Sequence, residues 1–183
     1  AKATAEGPQH AQRLRSFIDT GAPPILRASA LERLSRMRPP TPETLPFTDE
    51  DPMVRAAAIR ALTNAPQKLQ IQLAQPALLD EVRSVRLEAA RLLAGAAPHS
   101  MEPASKLALE NALYEYIHSQ EIAADTPAAH LNLALLEQDL GALDKAAAHY
   151  KRAIKLDPFF LPAQFNLATL LNSQGQNDLA AKV

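Results

Sequence analysis

The chain has no cysteine, no tryptophan, few aromatics and only five glycines in 183 residues. Without cysteine this stretch can form no disulfide, no cysteine-ligated zinc site, no thiol nucleophile and no Cys-x-x-Cys-His haem attachment. The same absence leaves the compartment open, because a cysteine-free chain suits either redox environment. No apolar run approaches the length that crosses a bilayer. Charge of one sign is lacking too: the formal net charge is -1. Residues 1–100 carry 13 Lys and Arg against 10 Asp and Glu, and residues 101–183 carry 6 against 10, with no basic run. Neither a nucleic acid nor a membrane is therefore an expected partner.

Signs of chemistry are equally sparse. The five histidines, His10, His99, His118, His130 and His149, are scattered. None pairs with another at the three- or four-residue spacing of a helical metal site, so no metal or cofactor is expected in this chain. His130 and His149 would face each other across a helical hairpin, with His130 filling a packing slot and His149 in solvent. There is no nucleophile elbow and no glycine-rich phosphate loop. The acidic groups Asp49-Glu50-Asp51 and Asp80-Glu81 stand at helix starts, where they favour the positive end of the helix. The expectation is a protein that is not an enzyme.

What the chain does have is alanine, leucine and 15 prolines. Alanine lets neighbouring helices approach closely. Most prolines precede helical patterns, where a missing N–H costs nothing. Two stretches then match each other 34 residues apart: Asn132 with Asn166, Leu133 with Leu167, Ala134 with Ala168, Gly141 with Gly175, Ala146 with Ala180. A fixed period of this size means stacked helical hairpins. A looser repeat fills the first half. Arg27–Leu34 recurs as Arg55–Leu62 and as Arg86–Leu93, each amphipathic at helical spacing. Asp51 reads as an N-cap with Pro52 in the first turn. The fold class is all-α, a right-handed α-solenoid of stacked antiparallel helical hairpins.

Along the chain, Pro8–Asp19 and Pro24–Met37 form a first pair across Thr20-Gly21-Ala22. Pro39–Phe47 holds at most a short helical turn. Ala65–Gln75 opens a hairpin that Leu78–Gly95 completes. Ala96–Ser100 separates two halves, residues 1–98 and residues 99–183. Pro103 begins a long helix reaching about Ala123, whose buried face is expected to be Leu107, Leu109, Leu113, Tyr114, Tyr116, Ile117 and Ile122. The chain does not start with Met and ends at Ala180-Ala181-Lys182-Val183, midway through a repeat's second helix, so a piece of something longer is expected.

The 34-residue unit, Pro127 to Phe160, resembles the tetratricopeptide repeat (TPR). Ala134, Gly141, Ala146, Tyr150, Ala153 and Asp157-Pro158 sit where that family places small, turn, packing and terminating residues. His130 and Glu137 depart from it at packing positions. A second copy begins at Leu161 and is cut short. The first half resembles short HEAT-like repeats, on the strength of Asp51 with Arg55 and Asp80 with Arg86. The resemblance implies that these charges tie adjacent units together; the plainer reading is exposed charge worth little. The copy at Arg27 has no acidic residue close by, which marks it as a terminal unit.

These resemblances imply a protein-binding scaffold. The TPR groove would carry Leu131, Asn132, Leu135, Gln138 and Asp139, then Phe165, Asn166, Thr169, Asn172 and Ser173. The Asn132–Asn166 row resembles the asparagine ladder of the superhelical repeats of the O-linked N-acetylglucosamine transferases, in which amides bond a peptide backbone. It does not resemble the carboxylate clamp, which needs a cation where Leu131 and Phe165 stand. Self-association through the open C-terminal hairpin is a further expectation.

Two other readings stay open. HEAT-like units followed by TPR units resemble the haem-free C-terminal half of multihaem c-type cytochromes. This implies covalent haem upstream in a parent protein, a role in electron transfer and an exported, periplasmic location; otherwise the location is cytoplasmic. Short HEAT-like repeats also resemble those of bilin lyases, which implies an apolar chromophore cleft with a catalytic carboxylate.

Overall fold

A computed structural model describes residues 2–19, 21–37, 41, 44–96 and 101–183, with side chains from residue 9 onward. Every regular element among them is helical, the α-solenoid class that the repeats imply. The elements are α1 (Lys2–Asp19), α2 (Pro24–Met37), α3 (Pro52–Arg60), α4 (Gln67–Ala74), a 3₁₀ turn (Gln75–Leu79), α5 (Arg83–Leu93), α6 (Pro103–Ile122), α7 (Pro127–Asp139), α8 (Leu143–Leu156), α9 (Leu161–Ser173) and α10 (Asn177–Ala180). The chain divides into two compact units, Ala1–Ala112 and Leu113–Val183, with the division inside α6. The expected boundary at 98/99, residues 39, 40, 42 and 43 of the stretch Pro39–Phe47, Thr20 and His99 lie outside the described residues.

In the first unit α1 packs on α2, α2 on α3, and α3 on α5, while α4 and the 3₁₀ turn lie against α5. The three repeat copies bury equivalent positions. Ala30, Ala58 and Ala89 are buried, as are Leu31, Ile59 and Ala90 one residue on. The alanine common to all three copies lets the next helix cross closely. Asp51 caps α3 as expected, accepting from the Met53 N–H at 2.8 Å, with Pro52 at the first helical position.

Charges then link the copies. Arg55 donates through Nε and Nη2 to both oxygens of Asp80, at 2.8 and 2.9 Å, and through Nη1 to the carbonyls of Asp49 and Glu50. One copy on, Arg86 donates to the carbonyls of Asp80 and Glu81. Asp49 and Asp80 each accept from the N–H two residues ahead. The counterpart of Asp80 is therefore Asp49, 31 residues earlier, and not Asp51, which is occupied as a cap. Arg27, expected to lack an acidic partner, pairs with Asp49. Its partner is 22 residues downstream in the next copy, so inspection of its sequence neighbours missed it. Arg60 adds a second tie, bonding Glu32 at 3.0 Å and Glu88 at 2.6 Å.

In α6 the buried residues are Ala108, Leu109 and Ala112, and Leu107, Tyr114 and Ile122 are exposed. The seven residues expected to be buried would cover most of the helix circumference. Leu109 is buried as expected, Leu113, Tyr116 and Ile117 are half-buried, and Ala108 and Ala112 complete the buried face.

Candidate functional site

The second unit repeats its local signals 34 residues apart. Thr126 caps α7, accepting from the Ala129 N–H at 3.2 Å, and Pro127 takes the first helical position. Gly141 ends α7 in the left-handed region at φ 77°, and Gly175 ends α9 at φ 75°. At both ends the N–H just past the glycine reaches back to the last turn. Ala142 bonds the Glu137 carbonyl at 2.8 Å, and Gln176 bonds Leu171 at 2.9 Å. The glycine N–H bonds Gln138 at one end and Asn172 at the other, each at 3.0 Å. These are paired Schellman closures, which return the chain as a hairpin.

The hairpins bury a common core of Ala134, Ala146, Tyr150, Ala153, Ala163, Leu167, Leu170, Leu171 and Ala180. Tyr150 is fully buried, and its hydroxyl donates to Gln138 Oε1 at 3.0 Å. His130 takes the slot where the repeat usually has an aromatic and is 9% exposed. Burial, the neighbouring His149 and Arg152 hold its imidazole below the ordinary histidine range. His149, expected in solvent, is half-buried, with its Nδ1 3.0 Å from His130 Nδ1.

The ten groove residues fall into two groups. Leu131 and Leu135, expected as exposed apolar side chains, are half-buried and packed against the core. Asn132 is half-buried, and its amide donates to Gln120 Oε1 on α6 at 2.9 Å. Gln138 is exposed, with its carbonyl engaged by Tyr150, and Asp139 is exposed. On α9, Phe165 is 72% exposed. Thr169 is exposed and donates to the Phe165 carbonyl at 2.8 Å. Asn172 and Ser173 are exposed, and Ser173 donates to the Leu170 carbonyl. Asn166 is half-buried.

Asn132 and Asn166 hold equivalent positions, but their surroundings differ. The position matching Gln120 one repeat on is Ile154, half-buried against the core. An isoleucine offers no hydrogen bond, so Asn166 has no side-chain partner among the described residues. The ladder is thus one engaged amide and one open amide.

Sequence reasoning passed over Leu161, which is 69% exposed. It stands four residues before Phe165 and eight before Thr169, so the three share one face of α9. The (i, i+4) spacing was its signal, hidden because the matching position in the first copy is Pro127. Among the described residues no group of three or more His, Cys, Asp or Glu is placed to hold a metal ion. None of their helices is long and apolar enough to cross a membrane.

Residues 127–160 match the tetratricopeptide repeat family model. The matched segment is the α7–α8 hairpin with its closing turn, within an all-helical repeat protein. No curated protein and no solved structure matches the chain.

Proposed function

We propose that this chain is a non-catalytic scaffold that holds an extended segment of a partner protein along α7 and α9. Tetratricopeptide repeats generally mediate protein–protein interaction, and stacked hairpins present a fixed surface for that purpose. The observation that carries the reading is the exposed face of α9: Leu161 and Phe165 exposed on one stripe, with the open amide of Asn166 beside them. Aromatic and aliphatic anchors supply area, and an amide bonds the backbone of an extended peptide.

The chemistry narrows the partner. Asn132 donates to a carbonyl oxygen, so Asn166 in the same position is suited to a peptide carbonyl. No cation stands among the ten groove residues, which disfavours a terminal carboxylate as the anchor. The bound segment would be apolar and internal. Asn132 also ties α7 to α6, so its role in stability overlaps any role in binding. The Arg55–Asp80 and Arg27–Asp49 ties support the HEAT-like reading of the first unit, with charges joining successive copies.

The test uses peptides selected from a random library on the immobilised chain, with affinities measured by calorimetry. Phe165→Asp and Asn166→Ala should each leave the thermal melt unchanged, since neither side chain supports the core. Each should weaken the selected peptides at least tenfold, the scale of a central anchor. Binding by both variants equal to that of the wild type, or no peptide selected, defeats the proposal.

A further inference from the structure

The His130–His149 contact brings two imidazoles face to face, with ring centroids 5.3 Å apart, and neither helix packing nor groove binding uses its protons. His130 Nε2 lies 3.1 Å from the Ala124 carbonyl oxygen. A carbonyl only accepts, so Nε2 carries the hydrogen. In the neutral ring Nδ1 is then bare and can only accept. It faces His149 Nδ1 at 3.0 Å, so the His149 nitrogen must be the donor. The hydrogen-bond network assigns both tautomers.

A proton added to His130 has only Nδ1 to occupy. That turns the acceptor into a second N–H facing the His149 Nδ1–H, and with His149 in that tautomer the bond must open. Relief is scarce. The charged or titratable groups that bear on His130 are His149 and Arg152, both on α8, and Arg152 is a cation. The stretch before α7 contributes the Ala124 carbonyl, and its acids Glu121 and Asp125 are exposed.

We infer that the His130–His149 contact is a pH-sensitive clasp on the α7–α8 hairpin, closed when His130 is neutral and opened by its protonation. Mild acid would then loosen the hairpin that bears half of the groove. The clasp belongs to the hairpin and stands whether or not the groove binds peptide.

The sign follows from linkage. His130 is held below its ordinary value in the fold, so the unfolded chain takes up its proton first. Stability is full above the reference value of 6.5 and falls as pH drops below it. One proton makes the unfolding constant rise by up to about tenfold per pH unit in that window.

The chain's three tyrosines, Tyr114, Tyr116 and Tyr150, all lie in the second unit, so tyrosine fluorescence during urea unfolding reports that unit. Between pH 7.5 and 5.5 the wild-type unfolding constant should climb, and His130→Phe, with an aromatic in the same slot, should flatten the climb. A slope unchanged in His130→Phe overturns the clasp. Nitrogen NMR of the wild-type imidazoles provides the second readout, independent of any variant. It should show neutral His130 carrying its hydrogen on Nε2 and titrating below the ordinary histidine value of 6.5, with its midpoint rising in His149→Gln. A His130 that carries its hydrogen on Nδ1, or that titrates at or above that value, overturns the proposal.

Discussion

Replacing Asp80 with Asn tests whether charge pairs hold the first unit together. Asp80→Asn keeps the size and the Oδ1 acceptor for the Val82 N–H, and removes the charge that meets Arg55. Two charge-assisted bonds at 2.8 and 2.9 Å are weakened or lost. Each such bond contributes about 1.5–3 kcal/mol, and breaking a fully buried pair costs about 3–5 kcal/mol. Two features reduce that cost. The side chains of Arg55 and Asp80 retain 10% and 13% exposure, and Arg55 keeps the carbonyls of Asp49 and Glu50. The expected loss is about 2–3 kcal/mol, read from far-UV circular dichroism in urea as the transition to which tyrosine fluorescence is silent. A cycle with Arg55→Met should give a coupling above about 1.5 kcal/mol, where an exposed pair gives about 0.2–1. The acid limb adds a check. The bonds from Arg55 hold the Asp80 carboxyl below its ordinary range, against a burial that opposes them. The pair's stabilisation is therefore full above the reference value of 3.8 and is lost as pH falls through the depressed folded value. Asp80→Asn should lack that loss. A coupling under about 0.5 kcal/mol would refute the reasoning, because it would mean that water screens the pair as it does a surface contact.

Two further substitutions separate backbone from packing effects in the second unit. Gly141→Ala should cost about 1–2 kcal/mol in a thermal melt, from the left-handed backbone alone, because a Cβ there meets nothing within 4 Å; no change would argue against the turn. Tyr150→Phe keeps the buried ring and removes the hydroxyl that bonds Gln138, for an expected loss of about 0.5–1.5 kcal/mol in urea; a loss above about 3 kcal/mol would mean that the ring itself is displaced.

Features decided within a few residues of chain could be read from the sequence. The prolines at positions 52 and 127, the cap at Asp51 and the glycines at 141 and 175 all act locally and stand as expected. Features decided between copies could not. Asp51 and Asp49 are two residues apart and chemically alike, yet one caps its own helix and the other accepts Arg27 from the preceding copy. Only the 31-residue offset to Asp80, combined with the hydrogen bonds, separates their roles. Helix α6 failed for a related reason. Its apolar residues surround the helix, and periodicity could not tell which stripe meets a neighbour. The candidate groove residues lie on α7 and α9, but their availability depends on residues elsewhere in the chain.

That dependence is clearest at the paired asparagines. In a stacked repeat each unit is stabilised by its neighbours, so a polar side chain at the junction either finds a partner on the next hairpin or is left to solvent. In the first unit three guanidinium groups close junctions: those of Arg27, Arg55 and Arg60 each reach an acid in another copy. At the start of the second unit the junction is closed as well, by Gln120 accepting from Asn132. One repeat later Ile154 replaces the glutamine, and its side chain joins the core instead. The substitution adds apolar packing and leaves the Asn166 donor unmatched. A partner segment placing a backbone carbonyl over Asn166 would supply there what Gln120 supplies to Asn132, with Phe165 and Leu161 covering its apolar side chains. On the proposed function, the repeat that is less complete in its own hydrogen bonding would be the one that binds. Replacing Ile154 with Gln should close that amide internally and weaken peptide binding without touching the groove face.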